Sequence, residues 1–302
     1  MLQISKANQL VGHNASVFAV VADHDPQYVL SGAGDGWVVR WDLEAPDLGK
    51  LVAKVETQIF SMCLLTETQK VVVGNMNGGV HWVDLEAPEN TKNIAHHQKG
   101  VYAIVQVGGH VFTGGGDGLV TRWSVESGSS VESLQLSNAA IRSIAFAPER
   151  NELAVGASDH SIYFLDATCL EVKYSIPAAH ENSVFCVHYS PDQQQLWSGG
   201  RDAHLKVWDL EADRKCLVDH AAHWYTINDL AFDPSGKFLA TGSRDKTIRI
   251  WDTQNFKLLK AIETVRDQGH INSVNRLLWS SHKDYLISAS DDRRLISWAV
   301  EY

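Results

Sequence analysis

A short motif recurs seven times in the chain, an acidic or amide residue followed six positions later by a large apolar one. Asp35 leads to Trp41, Asn77 to Val83, Asp117 to Trp123, Asp159 to Leu165, Asp202 to Trp208, Asp245 to Trp251 and Asp292 to Trp298. Successive first members are 42, 40, 42, 43, 43 and 47 residues apart. A period of about forty residues constrains the fold strongly, because a unit that short cannot bury its apolar face alone and must pack against copies of itself.

The clearest unit is AHWYTINDLAFDPSGKFLATGSRDKTIRIWD, residues 222–252. Three apolar runs stand out: Thr226–Phe232, Phe238–Gly242 and Thr247–Trp251. Asp233-Pro234-Ser235-Gly236 separates the first two, and Ser243-Arg244-Asp245-Lys246 separates the last two. Alternating β-branched and apolar residues between turn signals predict strands in an antiparallel meander. Pro234 presets φ for a turn, and Gly236 tolerates positive φ. A further segment after each Trp-Asp, such as Lys257–Ile262 or Glu171–Ile176, predicts a fourth, outer strand. Pro26, Pro148, Pro191 and Pro234 fall in first turns, and Pro46 and Pro88 fall after third strands. The predicted inner strands are free of proline, as a central ladder requires.

Gly12-His13 with Trp41-Asp42, Gly269-His270 with Trp298, and the Asp turns between them resemble the WD-repeat β-propellers, over essentially the whole chain. The resemblance implies an all-β, seven-bladed propeller of four-stranded antiparallel blades in one domain, residues 1–302. The repeats are expected at about 12–53, 54–95, 96–136, 137–178, 179–221, 222–268 and 269–302. The last unit stops after its third strand, and residues 1–11 align with the fourth-strand segment that precedes each later His. They are therefore expected to complete the last blade and leave the ring no open edge.

In this family a His, a Ser or Thr, an Asp and a Trp of one blade form a buried hydrogen-bond network. The matching sets are His13, Ser31, Asp35, Trp41; His97, Thr113, Asp117, Trp123; His180, Ser198, Asp202, Trp208; His223, Thr241, Asp245, Trp251; and His270, Ser288, Asp292, Trp298. Indole N–H, hydroxyl, imidazole and carboxylate can pass donors in one direction, and each stranded member would cost about 1–3 kcal/mol. The second unit has Val55, Val73, Asn77 and Val83 at these places. The fourth has Ser137, Val155, Asp159 and Leu165. Joint loss to mostly apolar residues is the expectation there. Ser, His and Asp also suggest a hydrolase, but the set recurs on five blades with an indole occupying each hydroxyl, so a structural role is expected and no catalytic residue is assigned.

Net charge is −10, which disfavours a sequence-blind grip on nucleic-acid phosphates. No apolar run approaches the roughly 18 residues of a membrane span, and the N-terminus lacks the pattern of a signal peptide. Cys63, Cys169, Cys186 and Cys216 show no CxxC spacing and fit reduced thiols in a cytoplasmic protein. His96-His97 and His220–His223 are expected to be structural or solvated, not metal ligands. Asp291-Asp292 lacks the further oxygens of a calcium loop. Gly114–Gly118 is a strand turn and not a phosphate loop. No metal and no cofactor is expected.

In the family the face with the inter-blade loops and Asp turns, and the central channel it opens on, commonly bind peptides. Five positions after each His site lie Phe18, Phe60, Tyr102, Arg142, Phe185, Asn228 and Asn275. Just before the Asp sites lie Gly34, Met76, Gly116, Ser158, Arg201, Arg244 and Asp291, and Trp224 and Tyr225 precede the sixth blade. Aromatics with arginine are the residues that dominate binding hot spots. Strand-one side chains also pack between blades, which is the structural alternative for the aromatics. The expected function is a non-catalytic scaffold holding a protein or peptide segment, apolar groups over Phe18, Phe60 and Tyr102 and acidic groups near Arg142, Arg201 and Arg244. The alternatives are a small-molecule or enzymatic site at the channel mouth, and a structural subunit burying its outer strands. No nucleic acid and no membrane is expected as partner, and the chain is expected to be a monomer by itself.

Overall fold

A computed structural model of the protein describes residues 2–46, 49–211 and 213–301. The meander read at 222–252 forms as strands Ile227–Phe232, Phe238–Ser243 and Ile248–Asp252, with Leu258–Ile262 as the outer strand. Six further sheets repeat this four-stranded antiparallel order, and their inner strands contact one another from blade to blade around a ring. The last blade is completed from the other end of the chain. Gln3–Val11 pairs antiparallel with Arg294–Glu301, from Gln3 opposite Glu301 to Val11 opposite Arg294. This closure needs no residue before Gln3; Met1 lies outside the described residues.

The core sits between blades, where second- and third-strand side chains of one blade meet the inner strand of the next. Ala19, Leu30, Val38, Ile59, Met62 and Val73 pack as one cluster across the first two blades. The central position of each second strand is a hydroxyl or Val, and Ser31, Val73, Thr113, Val155, Ser198, Thr241 and Ser288 are all fully buried.

Two local features repeat in every blade and position the surface. The residue after each Asp site has positive φ: Gly36, Gly78, Gly118, His160, Ala203, Lys246 and Arg293, between +67° and +87°. At Gly78 a Cβ would lie 1.9 Å from the His97 carbonyl oxygen, so the tight turn there requires glycine. The second feature is a register shift in every inner strand, at Val17/Ala19, Ile59/Ser61, Val101/Ala103, Ile141/Ser143, Val184/Cys186, Ile227/Asp229 and Val274/Arg276. One residue per blade is left out of the ladder.

The helical content of the described residues is one 3-10 turn at Pro88–Asn90, and no helix among them is long and apolar enough to cross a membrane. Cys63, Cys169, Cys186 and Cys216 are free thiols.

Candidate interaction site at the channel mouth

The residue skipped by each register shift is Phe18, Phe60, Tyr102, Arg142, Phe185, Asn228 or Asn275. A bulge leaves its extra residue unpaired and re-aims the side chain. Here seven bulges turn seven side chains from the inter-blade core to the axis, where together with Arg276 they line one cavity of about 360 Å³. Each of the seven is half-buried, so none is consumed as core packing. The site is thus built from one irregularity repeated around the ring.

The walls are linked side chain to side chain. Phe18 meets Phe60 edge-on at 5.3 Å, and Phe60 stacks on Tyr102 at 5.3 Å. The Arg142 guanidinium sits 4.5 Å from the Tyr102 ring centre and 5.1 Å from that of Phe185, and its Nε donates to Ser158 Oγ at 2.9 Å. Asn228 donates to Ser273 Oγ and the Val274 carbonyl, and Asn275 donates to the Val17 carbonyl and Asp291 Oδ1. Arg142 is therefore part of an aromatic wall and not a free rim charge. The amide donors of Asn228 and Asn275, and the Asp291 carboxylate, are engaged within the ring. A partner can pack over these three residues but meets groups already bonded.

The floor was not foreseen. Arg276 follows a bulge where the other blades have Ala19, Ser61, Ala103, Ser143, Cys186 and Asp229. It crosses the channel, donating to Asp229 Oδ1, the Phe18 carbonyl and the Tyr102 carbonyl, each at 3.3 Å. Asp229 Oδ2 also accepts the Leu277 N–H at 2.8 Å, so the pair is satisfied and electrically neutral as a unit. Below this bar lies a second cavity of about 200 Å³, where His188 Nε2 is 3.9 Å from Asp229. A sequence signal existed: Asp and Arg stand at the same position of adjacent repeats where the other five blades have small residues.

Met76, Arg201, Trp224, Tyr225, Arg244 and Asp291 do not line the cavity. Met76, Trp224 and Tyr225 are exposed apolar side chains, at 42%, 82% and 61%, and Arg201 and Arg244 are exposed on the Asp turns. The residues expected to form one site fall into an inner cup and an outer rim.

Beneath this face each His-bearing blade carries a hydrogen-bond chain. In the fifth blade Trp208 Nε1 donates to Ser198 Oγ at 2.9 Å, Ser198 lies 2.7 Å from His180 Nε2, and His180 Nδ1 lies 3.0 Å from Asp202. The same contacts join His13, Ser31, Asp35 and Trp41, His97, Thr113, Asp117 and Trp123, His223, Thr241, Asp245 and Trp251, and His270, Ser288, Asp292 and Trp298. The carboxylates also accept backbone N–H groups, such as Glu181 and His204 for Asp202. Burial pushes the His13, His97 and His223 imidazoles below their ordinary value, against their Asp partners. Burial would raise the Asp202 carboxyl, but hydrogen bonds from His180 and those two backbone groups outweigh it and hold it at about 2. A neutral imidazole donating from Nδ1 and accepting at Nε2 satisfies every member. The hydroxyl that a hydrolase would need free is buried and receives an indole N–H.

The second and fourth blades correct the expectation of apolar replacement. Asn75 donates to Glu56 Oε1 at 2.6 Å and sits 2.8 Å from His81 Nε2, while its Oδ1 accepts the Asn77 and Gly79 N–H groups. His81 Nδ1 is in turn 2.5 Å from Asn93 Oδ1. In the fourth blade Asp159 accepts from Ser137 Oγ at 2.5 Å and from the Tyr163 hydroxyl at 2.7 Å. His81 and Tyr163 both stand four residues after the Asp site. The third strand thus supplies the polar ring or hydroxyl that the lost His no longer brings. His96 is not simply solvated, since Nε2 lies 2.9 Å from Thr121 Oγ1 and its ring meets Trp123 edge-on. Among the described residues no group of three His, Cys, Asp or Glu could hold a metal ion.

Comparison with known proteins agrees with this architecture. The profile of the WD domain, G-beta repeat (WD40) family matches residues 5–42, 171–209, 214–252 and 261–299, about half of the chain. The crystal structure of the WD40 beta propeller domain of Doa1 superposes with a TM-score of 0.87 at 22% identity, covering 99% of this chain and 97% of that one. Protein tipD of Dictyostelium discoideum is 23% identical over 99% of this chain and 49% of its own length. Autophagy-related protein 16 of Arabidopsis thaliana is 27% identical over 55% of this chain and 34% of its own. The anaphase-promoting complex subunit cdh1 of Dictyostelium discoideum is 34% identical over 35% of this chain and 14% of its own. The chain thus spans about half or less of these curated relatives. From the profile match, the seven closed blades and the superposition together, the protein belongs to the WD40 family.

Proposed function

We propose that the protein is a non-catalytic scaffold that binds a peptide or protein segment on its Asp-turn face, with the channel mouth receiving apolar side chains. The observation that carries this reading is the cup itself. Every blade contributes one bulge-directed side chain to a cavity of about 360 Å³, and four of the seven are aromatic. Concave sites with aromatic walls and few polar groups are the usual form of ligand pockets, and rigid aromatics bury area at low entropic cost. The cup is closed below by a self-neutralised Arg276–Asp229 pair, so it suits a side chain entering from above and not a strand threading the channel.

The test is selection of peptides from a displayed random library on the intact protein, followed by affinity measurement on variants. Phe60→Ala removes the ring between Phe18 and Tyr102 and is expected to weaken cup-binding peptides tenfold or more, since one aromatic hot spot contributes about 2 kcal/mol or more. Selected peptides that bind wild type and Phe60→Ala equally would show that the mouth is not where they bind.

A further inference from the structure

Away from the cup the Asp-turn face is uneven, and the repeats act as controls for one another. The residue after each His site is Asn14, Glu56, Gln98, Asn138 and Glu181 in the first five blades, but Trp224 and Ile271 in the last two. Both side chains stand in solvent, Trp224 82% exposed and Ile271 54%, with Tyr225 beside Trp224 at 61%. Their backbones are fixed. The Trp224 N–H donates to Asp245 at 3.0 Å, the Tyr225 carbonyl accepts Ser243 Oγ at 3.1 Å, and the Ile271 N–H donates to Asp292 at 3.1 Å. The connection before the seventh blade comes within the longest interval, 47 residues, and holds Val265 94% exposed on the same face. It folds on itself through the Glu263 N–H donating to Asp267 at 2.8 Å.

The turns around these residues have gained cations. The residue before the Asp site is Gly34, Met76, Gly116 and Ser158 in the first four blades, then Arg201 and Arg244, and in the seventh Asp291, whose carboxylate accepts from Asn275 within the ring. The residue after it is glycine in the first three, but Lys246 and Arg293 in the last two, at φ +76° and +69°. A long cationic side chain thus stands where the backbone favours glycine. The turns adjoin the apolar residues directly: the Ala222 N–H donates to the Ala203 carbonyl at 3.0 Å, and the Arg244 N–H donates to the Thr226 carbonyl at 2.9 Å. Arg201, Arg244, Lys246 and Arg293 are exposed, and among the described residues none of them enters an ion pair.

We propose that this ledge over blades five to seven is a second docking surface, separate from the cup, for an acidic segment of a protein partner carrying an aromatic or leucine side chain. Exposed apolar residues clustered on one sector mark an interaction site, and Trp, Tyr and Arg are the residues that anchor one. The charge selects the occupant. On a chain of net charge −10, four unpaired cations in one sector attract a short acidic segment locally. Screening over about 8 Å hides the rest of the disc from such a segment. An anionic bilayer would face far more of the acidic surface at once. The inference rests on the reading of this face as the binding face and adds where a second contact lies and what chemistry it takes.

The test classifies library-selected peptides on the intact protein by two variants, Trp224→Ser on the ledge and Phe60→Ala in the cup, with circular dichroism confirming that both fold. The expected result is a class of acidic peptides with an aromatic or leucine residue that loses tenfold or more in affinity on Trp224→Ser. The same class should lose similarly on Arg244→Glu, weaken as salt rises, and ignore Phe60→Ala. The inference fails if all peptides depend on Phe60 and none on Trp224, which leaves the cup reading standing. It also fails if the Trp224-dependent peptides lack acidic residues, or if phosphatidylserine vesicles, and no peptide, are retained through Trp224. Peptides indifferent to both variants would overturn the cup and the ledge together.

Discussion

At the residue scale the chain separates two kinds of polar chemistry that look alike in one dimension. Ser198, His180 and Asp202 have the composition of a hydrolytic triad, yet the Trp208 indole already occupies the Ser198 hydroxyl. Ser198→Ala would strand the Trp208 N–H and His180 Nε2, each at about 1–3 kcal/mol, and a lowered urea midpoint for unfolding is the expected readout. An unchanged midpoint would mean that water or a neighbour replaces the hydroxyl. The same networks set a pH dependence. His13, His97 and His223 titrate below 6.5 in the folded state, so as pH falls through that value the unfolded chain takes up protons first and stability declines. Asp202 titrates at about 2 when folded against 3.8 otherwise, so its contribution is complete above 3.8 and is lost as pH falls toward 2. The urea midpoint is therefore expected to fall from pH 8 to pH 5.5 and again from pH 5.5 to pH 3; a flat first interval would contradict the neutral buried imidazoles.

At the scale of elements, strand alternation, turn residues and the six-residue Asp-to-Trp spacing were legible because they are local and repeated. The pairing of Gln3–Val11 with Arg294–Glu301 was legible too, since a missing fourth strand at one end matches a spare one at the other. Truncation of residues 1–11 removes that strand, exposes the ladder edge of the last blade and takes out Leu10, which is fully buried in the cluster with Trp41, Ile287 and Leu295. A thermal midpoint well below that of the full chain is expected; equal midpoints would mean that the ring does not depend on the closing strand. What the letters did not disclose was substitution across strands. Val55 and Val73 in the second blade, and Val155 and Leu165 in the fourth, read as loss of a network, because His81 and Tyr163 respectively replace the missing His from another strand, at a position where the other blades have Val39, Thr121, Lys206, Arg249 and Ile296. The bulges were equally hidden. No glycine or proline marks them, and the skipped residues Phe18 to Asn275 fit a strand pattern, so their turn toward the axis shows only in the register of the folded strands.

At the scale of the whole molecule, the ring converts sequence positions into concentric zones. Networks of His, hydroxyl, Asp and Trp lie within the blades, seven bulge residues face the axis, and the turn residues stand outside them. Fold and network were predictable from the repeat, whereas the split between cup and rim was not, because it depends on how far each side chain stands from an axis that no single repeat contains. Arg276 shows the same limit: its partners are on blades six, one and three. The central claim is that the repeated residues hold the scaffold while the residues that differ between blades bind. The most direct test measures folding stability and peptide affinity side by side for Ser198→Ala and Phe60→Ala. The account predicts that Ser198→Ala lowers the urea midpoint yet leaves the folded protein's affinity for cup-selected peptides unchanged, whereas Phe60→Ala loses that affinity tenfold or more while still folded. Loss of affinity in Ser198→Ala under folding conditions, with full affinity retained in Phe60→Ala, would contradict it.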